Sequence, residues 1–292
     1  MTRIETNRLI IRKFSLDDVT DFYEYAKVEG VGEQAGWKHH TSISESSIIL
    51  QEFVNEEFEF AVVLKANNKV IGSIGLHEVK NDNNLKQKEI GYVISKDYWH
   101  QGIGSEATQA VIRYCFEELK LDLLWCCHFD YNEASKRLIL KNGFRYQKTF
   151  EKDIEALDYK RHVVLAYTLD KKRYQYLYNG IIESNQILIK KDNNTFNVFL
   201  KKDNVRVGCF KVSEDKRIVI EDKFIDDINE KVLNDIWILF INSLVNNQQK
   251  DIIIKPSNEA KTIDIIKYLG LKNCSDNQDW YCLSSVDKND KF

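Results

Sequence analysis

The chain has 292 residues with a formal net charge of −3, and 43% of its residues are hydrophobic, 12% aromatic and 30% charged. This hydrophobic content can build the core of one large domain or two ordinary ones, which excludes a wholly disordered chain. The charge lacks the basic excess of nucleic-acid-binding domains, and no apolar run reaches the roughly 18 residues that a membrane span needs. No nucleic-acid or membrane partner is therefore expected.

Cysteines and histidines give no sign of a disulfide framework or a metal centre. The six cysteines are scattered without a Cys-x-x-Cys pair, which predicts reduced thiols in a cytoplasmic protein. The polar N-terminus has no signal-peptide pattern. The adjacent His39 and His40 have no further well-spaced ligands, so no metal is expected.

Strand and helix patterns alternate through the first half of the chain. Ser15 is a suitable N-cap for the first helix. Strands are predicted over residues 4–13, 58–64, 69–78, 89–94, 121–129, 144–150 and 161–168, with later helices from about 105 and over 131–142. Early helices, a run of strands and then strand-helix-strand units indicate an α+β fold with a mixed central sheet.

The stretch from Glu89 to Glu118 predicts a strand, a turn and a helix, and its turn contains two glycines. Gly102 and Gly104 let the backbone bend tightly and approach a ligand closely. The free N–H groups of residues 101–105 would then face an anion, which the helix dipole stabilises. The spacing fits neither a P-loop nor a dinucleotide-binding fingerprint. The alternative is that this is an ordinary turn that happens to contain glycine and binds no anion.

Three segments together point to a known family. Residues 98–107 (YWHQGIGSEA), 132–135 (NEAS) and 141–144 (KNGF) resemble the GNAT superfamily of acetyl-CoA-dependent N-acetyltransferases. The first of them and residues 5–25 (ETNRLIIRKFSLDDVTDFYEY) are most similar to the branch that contains the ribosomal-protein N-terminal acetyltransferases. The resemblance covers about residues 1–175 and implies a mixed sheet whose two central strands splay apart to hold the cofactor.

Under this resemblance, acetyl-CoA lies against the glycine turn, the strand before it and the start of a later helix. The residues implied are Val93, Ile94, Gln101, Gly102, Ile103, Gly104, Ser105 and Asn132. Asn132 has an alternative role as the N-cap of the helix that begins near Glu133.

Two residues are predicted to carry out the chemistry. Glu89 matches a strand position where some relatives have a carboxylate, which would deprotonate the acceptor amine through water; the alternative is a solvent-facing acid. Many relatives have a tyrosine proton donor where this chain has Ile139. The ribosomal-protein branch instead resembles this chain in having a serine at position 135. This resemblance implies that Ser135 hydrogen-bonds the leaving thiolate as a relay, with Tyr131 as the alternative donor. The alternative for Ser135 is an ordinary residue in the first turn of a helix.

The acceptor side is predicted from residues 36–40 (GWKHH). An aromatic side chain and two imidazoles beside a glycine-rich loop suit a substrate lid. Trp37 and His40 are the predicted substrate-binding residues, and His40 would be able to act as a base near neutral pH. The alternative is that Trp37 fills the core.

The second half of the chain is predicted to be a degenerate copy of the first. Residues 60–76 are similar to 196–212, and residues 132–144 are similar to 258–271. The glycine turn has no counterpart, because residues 223–229 contain no glycine and two aspartates that would repel a pyrophosphate. The domains expected are a GNAT-like domain over 1–175, an α/β domain over 176–286 without a cofactor loop, and a polar tail over 287–292.

The sequence thus predicts an acetyl-CoA-dependent N-acetyltransferase that acts on a primary amine, either a protein N-terminus or a small molecule. The amine would attack the thioester directly, without a covalent enzyme intermediate. The alternative is a non-catalytic acyl-CoA-binding or protein-interaction module. The acceptor and the choice between a monomer and a homodimer stay open.

Overall fold

The computed structural model describes residues 3–79, 84–214, 218–225, 228–245, 252–255, 272–274 and 277–283. The chain divides into two units, Met1–Lys171 and Lys172–Phe292. Within the described ranges, no helix has the length and apolar character needed to cross a membrane.

In its described residues, the first unit forms an eight-stranded sheet with helices packed on it. The strands are β1 (Ile4–Glu5), β2 (Leu9–Lys13), β3 (Glu59–Leu64), β4 (Lys69–Glu78), β5 (Gln87–Ile94), β6 (Leu123–Phe129), β7 (Arg145–Ile154) and β8 (Lys160–Asp170). The helices are α1 (Val19–Ala26), α2 (Ile43–Asn55), α3 (Ile103–Glu117) and α4 (Glu133–Lys141). The strand order is β1-β2-β3-β4-β5-β6-β8-β7, and only the β5–β6 pair is parallel among these neighbours. The predicted mixed α+β sheet is confirmed.

Helices cover both faces of this sheet. Residues 60–63 of β3 are fully buried, as expected for a continuous apolar run in a strand with both faces covered. On one face, Phe22 of α1 and Leu50 of α2 share a hydrophobic cluster with Ala61 and Val63 of β3. On the other face, α3 packs against β5 and α4 against β6. The two faces are called the α1–α2 face and the α3–α4 face below.

The first predicted strand, over residues 4–13, is wrong in its continuity. The chain turns between β1 and β2, which pair antiparallel with Ile4 opposite Ile11. Thr6 closes this turn, because its backbone N–H donates to the Leu9 carbonyl at 3.0 Å and its Oγ1 accepts from the Leu9 N–H at 2.9 Å. A threonine hydroxyl can stabilise such a turn without glycine or proline.

The two central strands β5 and β6 separate along their length. They pair only from Gln87 with Leu123 to Glu89 with Trp125. Beyond this point β5 continues to Ile94 and β6 to Phe129, yet these two stretches, both fully described, do not pair with each other. The resulting gap between residues 90–94 and 126–129 is called the slot below. The predicted splay of two central strands is confirmed.

The second unit has a sheet with the same plan in its described residues. Its strands are β9 (Ile181–Glu183), β10 (Ile187–Asp192), β11 (Thr195–Leu200), β12 (Val205–Glu214), β13 (Ile218–Phe224), β14 (Ile252–Lys255), β15 (Lys272–Cys274) and β16 (Asn277–Leu283). Its helices are α5 (Lys171–Asn179), which begins at the unit boundary, and α6 (Glu230–Val245). The order β9-β10-β11-β12-β13-β14-β16-β15 repeats that of the first sheet position by position.

The strand directions and a register irregularity are also repeated. Only β13 and β14 pair parallel among the described neighbours of this sheet, which is the position of β5 and β6 in the first. The register shifts between Val62 and Val63 in the first sheet and between Val198 and Phe199 in the second. Residues 258–271, which the sequence comparison included, lie outside the described residues, as do the two aspartates of the 223–229 segment.

Candidate active site

A cavity of about 610 Å³ occupies the slot of the first unit. Its walls come from strands β4 to β8, the start of α3, helix α4, and the loops before α2 and before α3. Nine of the residues predicted from sequence line it: Glu89, Val93, Ile94, Gly102, Ile103, Gly104, Ser105, Asn132 and Ser135. The slot therefore brings together all the predicted cofactor-binding residues except Gln101, and both predicted catalytic side chains.

The glycine turn ends in the N-terminus of α3. Gly102 has a φ of +76°, in the left-handed region that glycine adopts without strain. The first bond of the helix runs from the Glu106 N–H to the Gly102 carbonyl at 3.0 Å. The N–H groups of residues 103–105 thus have no partner within the helix, which makes this end a site for an anion. A Cβ on Gly104 would lie 3.0 Å from Leu138 Cδ1, so glycine allows α3 to approach α4.

Arg8 and Glu106 fasten this turn to the β1–β2 hairpin. The Glu106 carboxylate accepts hydrogen bonds from Thr6 Oγ1 at 2.5 Å, the Arg8 N–H at 2.9 Å and Arg8 Nε at 2.7 Å. Although burial raises the pKa of Glu106, these hydrogen bonds hold it below its ordinary value. Arg8 also donates through Nη1 to the Gln101 carbonyl at 2.9 Å. Sequence analysis missed Arg8 and assigned no partner to Glu106.

Two of the groups predicted to bind the cofactor, the Gln101 side chain and the Ile94 carbonyl, already have hydrogen-bond partners within the protein. The exposed Gln101 directs its side chain to the Asp97 carbonyl at 2.9 Å, and it is not among the described residues that line the cavity. Trp99 Nε1 donates to the Ile94 carbonyl at 2.7 Å. Trp99 therefore holds the end of β5 in its diverging path, where Val93 and Ile94 face the slot.

On the α3–α4 face, three polar side chains form a connected group at the slot. Ser135 Oγ lies 2.8 Å from Tyr92 Oη, and the Ser135 N–H donates to Asn132 Oδ1 at 2.9 Å. Asn132 is thus the N-cap of α4, and its amide also donates to the Gln34 carbonyl at 3.2 Å. Burial raises the pKa of Tyr92 well above its ordinary value, so its phenol stays protonated. Sequence analysis missed Tyr92, whose position in an alternating strand gave no sign of this contact.

Glu89 projects to the opposite, α1–α2 face, because it lies three positions before Tyr92 and side chains alternate along a strand. It pairs across the sheet with His77 of β4 and Trp125 of β6. Burial, and then the nearby Glu89 carboxylate, raise the pKa of Cys127, which keeps this cavity-lining group a neutral thiol. The slot therefore has a carboxylate on one face and a hydroxyl pair on the other.

Trp37 and His40, the predicted substrate-binding residues, are not among the described residues that line the cavity. His40 is 4% exposed, packs against Phe22 and Trp37, and its Nδ1 lies 2.7 Å from Ser46 Oγ. Burial lowers the pKa of His40, so the ring is neutral. Neither side chain is among the described residues that line the cavity, although the loop residues Ala35 and Gly36 are. Their direct contact with an acceptor stays a prediction.

Tyr131, the alternative proton donor, also has another partner, since its hydroxyl donates to the Glu33 carbonyl at 3.1 Å. Within the described ranges, no group of three or more His, Cys, Asp or Glu side chains is arranged to hold a metal ion. Cys115, Cys126, Cys127 and Cys209 are free thiols.

Comparison with known proteins identifies the first unit. Residues 8–145 match the family model described as the acetyltransferase (GNAT) domain. The first unit is a GNAT acetyltransferase domain. The resemblance noted from the glycine turn and the 132–135 segment is confirmed.

The matches to this GNAT domain cover most of the length of its relatives. The uncharacterized N-acetyltransferase YoaA of Bacillus subtilis is 29% identical over 147 residues, which are 49% of this chain and 82% of that protein. A GNAT-family acetyltransferase structure from Bacillus anthracis has a TM-score of 0.53 and 26% identity, and the match covers 58% of this chain and 99% of that one.

The fold is shared with a ribosomal-protein enzyme as well. RimL, described as a ribosomal L7/L12 alpha-N-protein acetyltransferase in complex with coenzyme A, has a TM-score of 0.50 and 20% identity. The match covers 59% of this chain and 99% of RimL. This likeness concerns the GNAT fold alone.

Proposed function

We propose that the GNAT domain is an acetyl-CoA-dependent N-acetyltransferase that acetylates a primary amine, either a protein N-terminus or a small-molecule amine. The slot is the observation that supports this. Its unpaired strand edges offer hydrogen bonds to an amide-containing arm, and the free N–H groups at the start of α3 suit a pyrophosphate. Gly104 lines the cavity at that end. RimL, which has the same fold, binds coenzyme A.

The proposed reaction is a direct attack of the amine on the thioester carbonyl carbon. A C–N bond forms and the C–S bond breaks. An ammonium acceptor loses two protons in all, one before the attack and one after it, and one proton must reach the departing sulfur. Glu89, at the closed end of the slot on the α1–α2 face, is proposed to remove the first proton through water. A carboxylate at this position also attracts a cationic amine.

Ser135 is proposed to give a proton to the leaving thiolate from the α3–α4 face. Serine alone is a weak acid, but Tyr92 lies within hydrogen-bond distance and is able to replace the proton. The Tyr92 phenolate then takes up a proton from solvent, which restores the neutral phenol for the next turnover. The two proton transfers thus take place on opposite faces of the sheet, with the slot between them.

This relay gives a prediction for two variants. Ser135→Ala should lower kcat by about 100-fold, because a hydrogen bond to developing negative charge is lost. Tyr92→Phe should lower it by about tenfold, because the phenol acts through the serine. The double variant should be no slower than Ser135→Ala alone, since the two effects are not additive. Fully multiplicative losses in steady-state kinetics would contradict the relay.

The second unit is proposed to be a degenerate GNAT repeat that does not bind the cofactor. Its strand order and register irregularity support the repeat. In the first sheet Gly72 pairs with Ile94, and β5–β6 pairing ends at Glu89, five residues earlier (94 − 89).

The parallel pairing of the second sheet extends farther. Gly208 pairs with Phe224, and β13–β14 pairing continues to Glu221, only three residues earlier (224 − 221). Two further backbone pairs therefore occupy the positions at which the first sheet opens into the slot. The last of these pairs, Glu221 with Lys255, also has an ion pair of 3.0 Å between its side chains. This extended pairing supports the loss of the cofactor site.

Calorimetric titration of the full chain with acetyl-CoA and with coenzyme A tests both proposals. We expect micromolar binding with one site per chain. Two equivalent sites would contradict the degenerate repeat. No binding would contradict the acetyltransferase, and binding without turnover for any amine would favour the alternative, a non-catalytic acyl-CoA-binding module.

A further inference from the structure

Two glycines face each other across β4 and β5 on the α1–α2 face, and two side chains lie over them. Gly75 and Gly91 are directly opposed. A Cβ on Gly75 would lie 2.3 Å from Glu59 Oε1, and a Cβ on Gly91 would lie 3.1 Å from His77 Nε2. The carboxyl group and the imidazole thus use space that any other residue would fill.

The two side chains over these glycines form a pair. His77 Nδ1 lies 3.4 Å from Glu59 Oε1, so this nitrogen faces the carboxyl group. The other nitrogen, Nε2, lies over Gly91, which belongs to the wall of the slot. The Glu59 side chain is 14% exposed, whereas that of His77 is 56% exposed. The imidazole therefore connects a buried carboxyl group to the cavity.

His77 is also placed beside the proposed base. It lies directly opposite Glu89 in the β4–β5 register, where facing Cβ atoms are about 5 Å apart. Both residues line the cavity. Because Gly91 lies two residues beyond Glu89 toward the open part of the slot, the imidazole nitrogen over it reaches farther into the slot than the strand position of Glu89.

Charges around the pair suit proton transfer. Partial burial lowers the pKa of His77, an effect that Lys88 reinforces and that Glu89 and Glu56 oppose. The ring is therefore neutral near pH 7 and able to accept a proton.

The buried partner titrates in the same range. Burial raises the pKa of Glu59 to about 7, with a further rise from Glu56 and a reduction from Lys13. Between pH 6 and pH 8 the ionised fraction of Glu59 then rises from about one tenth to about nine tenths.

We propose that His77 is a second catalytic base, which accepts through Nε2 the proton that the acceptor nitrogen loses after the C–N bond has formed. Glu59 is its positioning residue and accepts a hydrogen bond from Nδ1–H. This inference rests on the proposed acetyltransferase. Of the two protons that leave the nitrogen, Glu89 receives the first and His77 the second, and the half-exposed imidazole releases its proton to solvent.

The pair has a pH dependence of defined sign. Ionised Glu59 keeps hydrogen on Nδ1 and leaves Nε2 free to accept a proton. Protonated Glu59 donates to Nδ1 instead, which puts the imidazole hydrogen on Nε2 and blocks it. The contribution of His77 is therefore present above about pH 7 and is lost as the pH falls.

The test compares His77→Gln and Glu59→Gln with the wild-type full chain and with the control Glu78→Gln. Glu78 is a neighbouring exposed carboxylate on β4 that is outside the cavity lining described here. Coenzyme A thiol release is followed with acetyl-CoA and three probes, the tripeptide Ser-Ala-Ala, spermidine and glucosamine. Affinity for acetyl-CoA is measured by calorimetry for each variant, and kcat is measured from pH 6 to pH 8.

For His77→Gln we expect kcat to fall by about 100-fold at pH 8 with unchanged acetyl-CoA affinity. Glu59→Gln keeps an acceptor for Nδ1–H at every pH. It should lose about two- to fivefold at pH 8, where an amide is a weaker acceptor than a carboxylate, and be no slower than wild type at pH 6.

Three outcomes of these measurements would overturn the proposed roles of His77 and Glu59. A His77→Gln variant as fast as wild type, or a Glu59→Gln variant whose ratio to wild type does not change with pH, overturns the inference alone. A wild-type chain that acetylates none of the probes but binds acetyl-CoA overturns the inference together with the acetylation of these amine classes.

Discussion

Replacing Gly104 by glutamate is expected to weaken acetyl-CoA binding by at least about 100-fold, or about 2.7 kcal/mol. Gly104 is the second residue of α3 and lines the slot where the free N–H groups lie. A side chain there meets Leu138, since even a Cβ would lie 3.0 Å from that residue's Cδ1. A carboxylate would also occupy the anion site and repel a pyrophosphate. Calorimetry with acetyl-CoA measures the loss.

Two control variants separate charge, volume and folding. Gln109→Glu adds the same charge at an exposed position of α3, and it should bind normally. Gly104→Ala adds only the Cβ, and it should lose a few-fold in affinity as Leu138 shifts. Normal affinity in a folded Gly104→Glu variant would remove the glycine turn from the cofactor site.

Replacing Glu89 by glutamine is expected to lower kcat by about 1,000-fold at pH 7, within the range for loss of a general base. Affinity for acetyl-CoA should not change, because Glu89 lies at the closed end of the slot, away from the N-terminus of α3. The deficit should shrink toward pH 9 for an acceptor with an α-amino group, since such amines lose their proton near pH 8 without help.

The measurement is a pH series of steady-state kinetics with the same three amine probes. Glu78→Gln again serves as the control that removes a carboxylate from the same hairpin. A deficit that stays constant from pH 6 to pH 9 would indicate that Glu89 orients the acceptor and does not remove its proton.

The parts of the site that are local in sequence were predictable. The glycine turn, the helix after it and the Asn132–Ser135 spacing each depend on a few neighbouring residues, and all of them line one cavity. Their meaning came from a resemblance, because a pair of glycines in a turn does not by itself specify a ligand.

The parts of the site that sequence analysis missed depend on how elements far apart in the sequence align in space. Glu59 meets His77 only because of how β3 and β4 align, and Tyr92 meets Ser135 only because its side chain projects to the face that carries α4. A shift of one residue would turn each of these side chains to the other face, and periodicity alone does not reveal the pairing. Arg8 was missed for a similar reason, since its partner Glu106 is 98 residues away in the sequence.

The substrate lid illustrates a different difficulty. A tryptophan and two histidines beside glycines read equally well as a lid or as a core plug, because both uses favour aromatic side chains. In the structure His40 is buried against Phe22, and Trp37 packs over Gly32, where a Cβ would lie 2.2 Å from the indole ring. Composition could not distinguish these uses.

The slot also has a consequence for the integrity of the sheet. Where β5 and β6 part, the first sheet gains two unpaired strand edges in its interior, and unpaired edges are where sheets tend to recruit foreign strands and aggregate. A ligand that occupies the slot acts as a missing strand, and at 100 times its Kd it adds about 2.7 kcal/mol to the folded state. In the second sheet the parallel pairing extends two pairs farther, to Glu221 and Lys255, so this part of its central strands is already protected by backbone pairing.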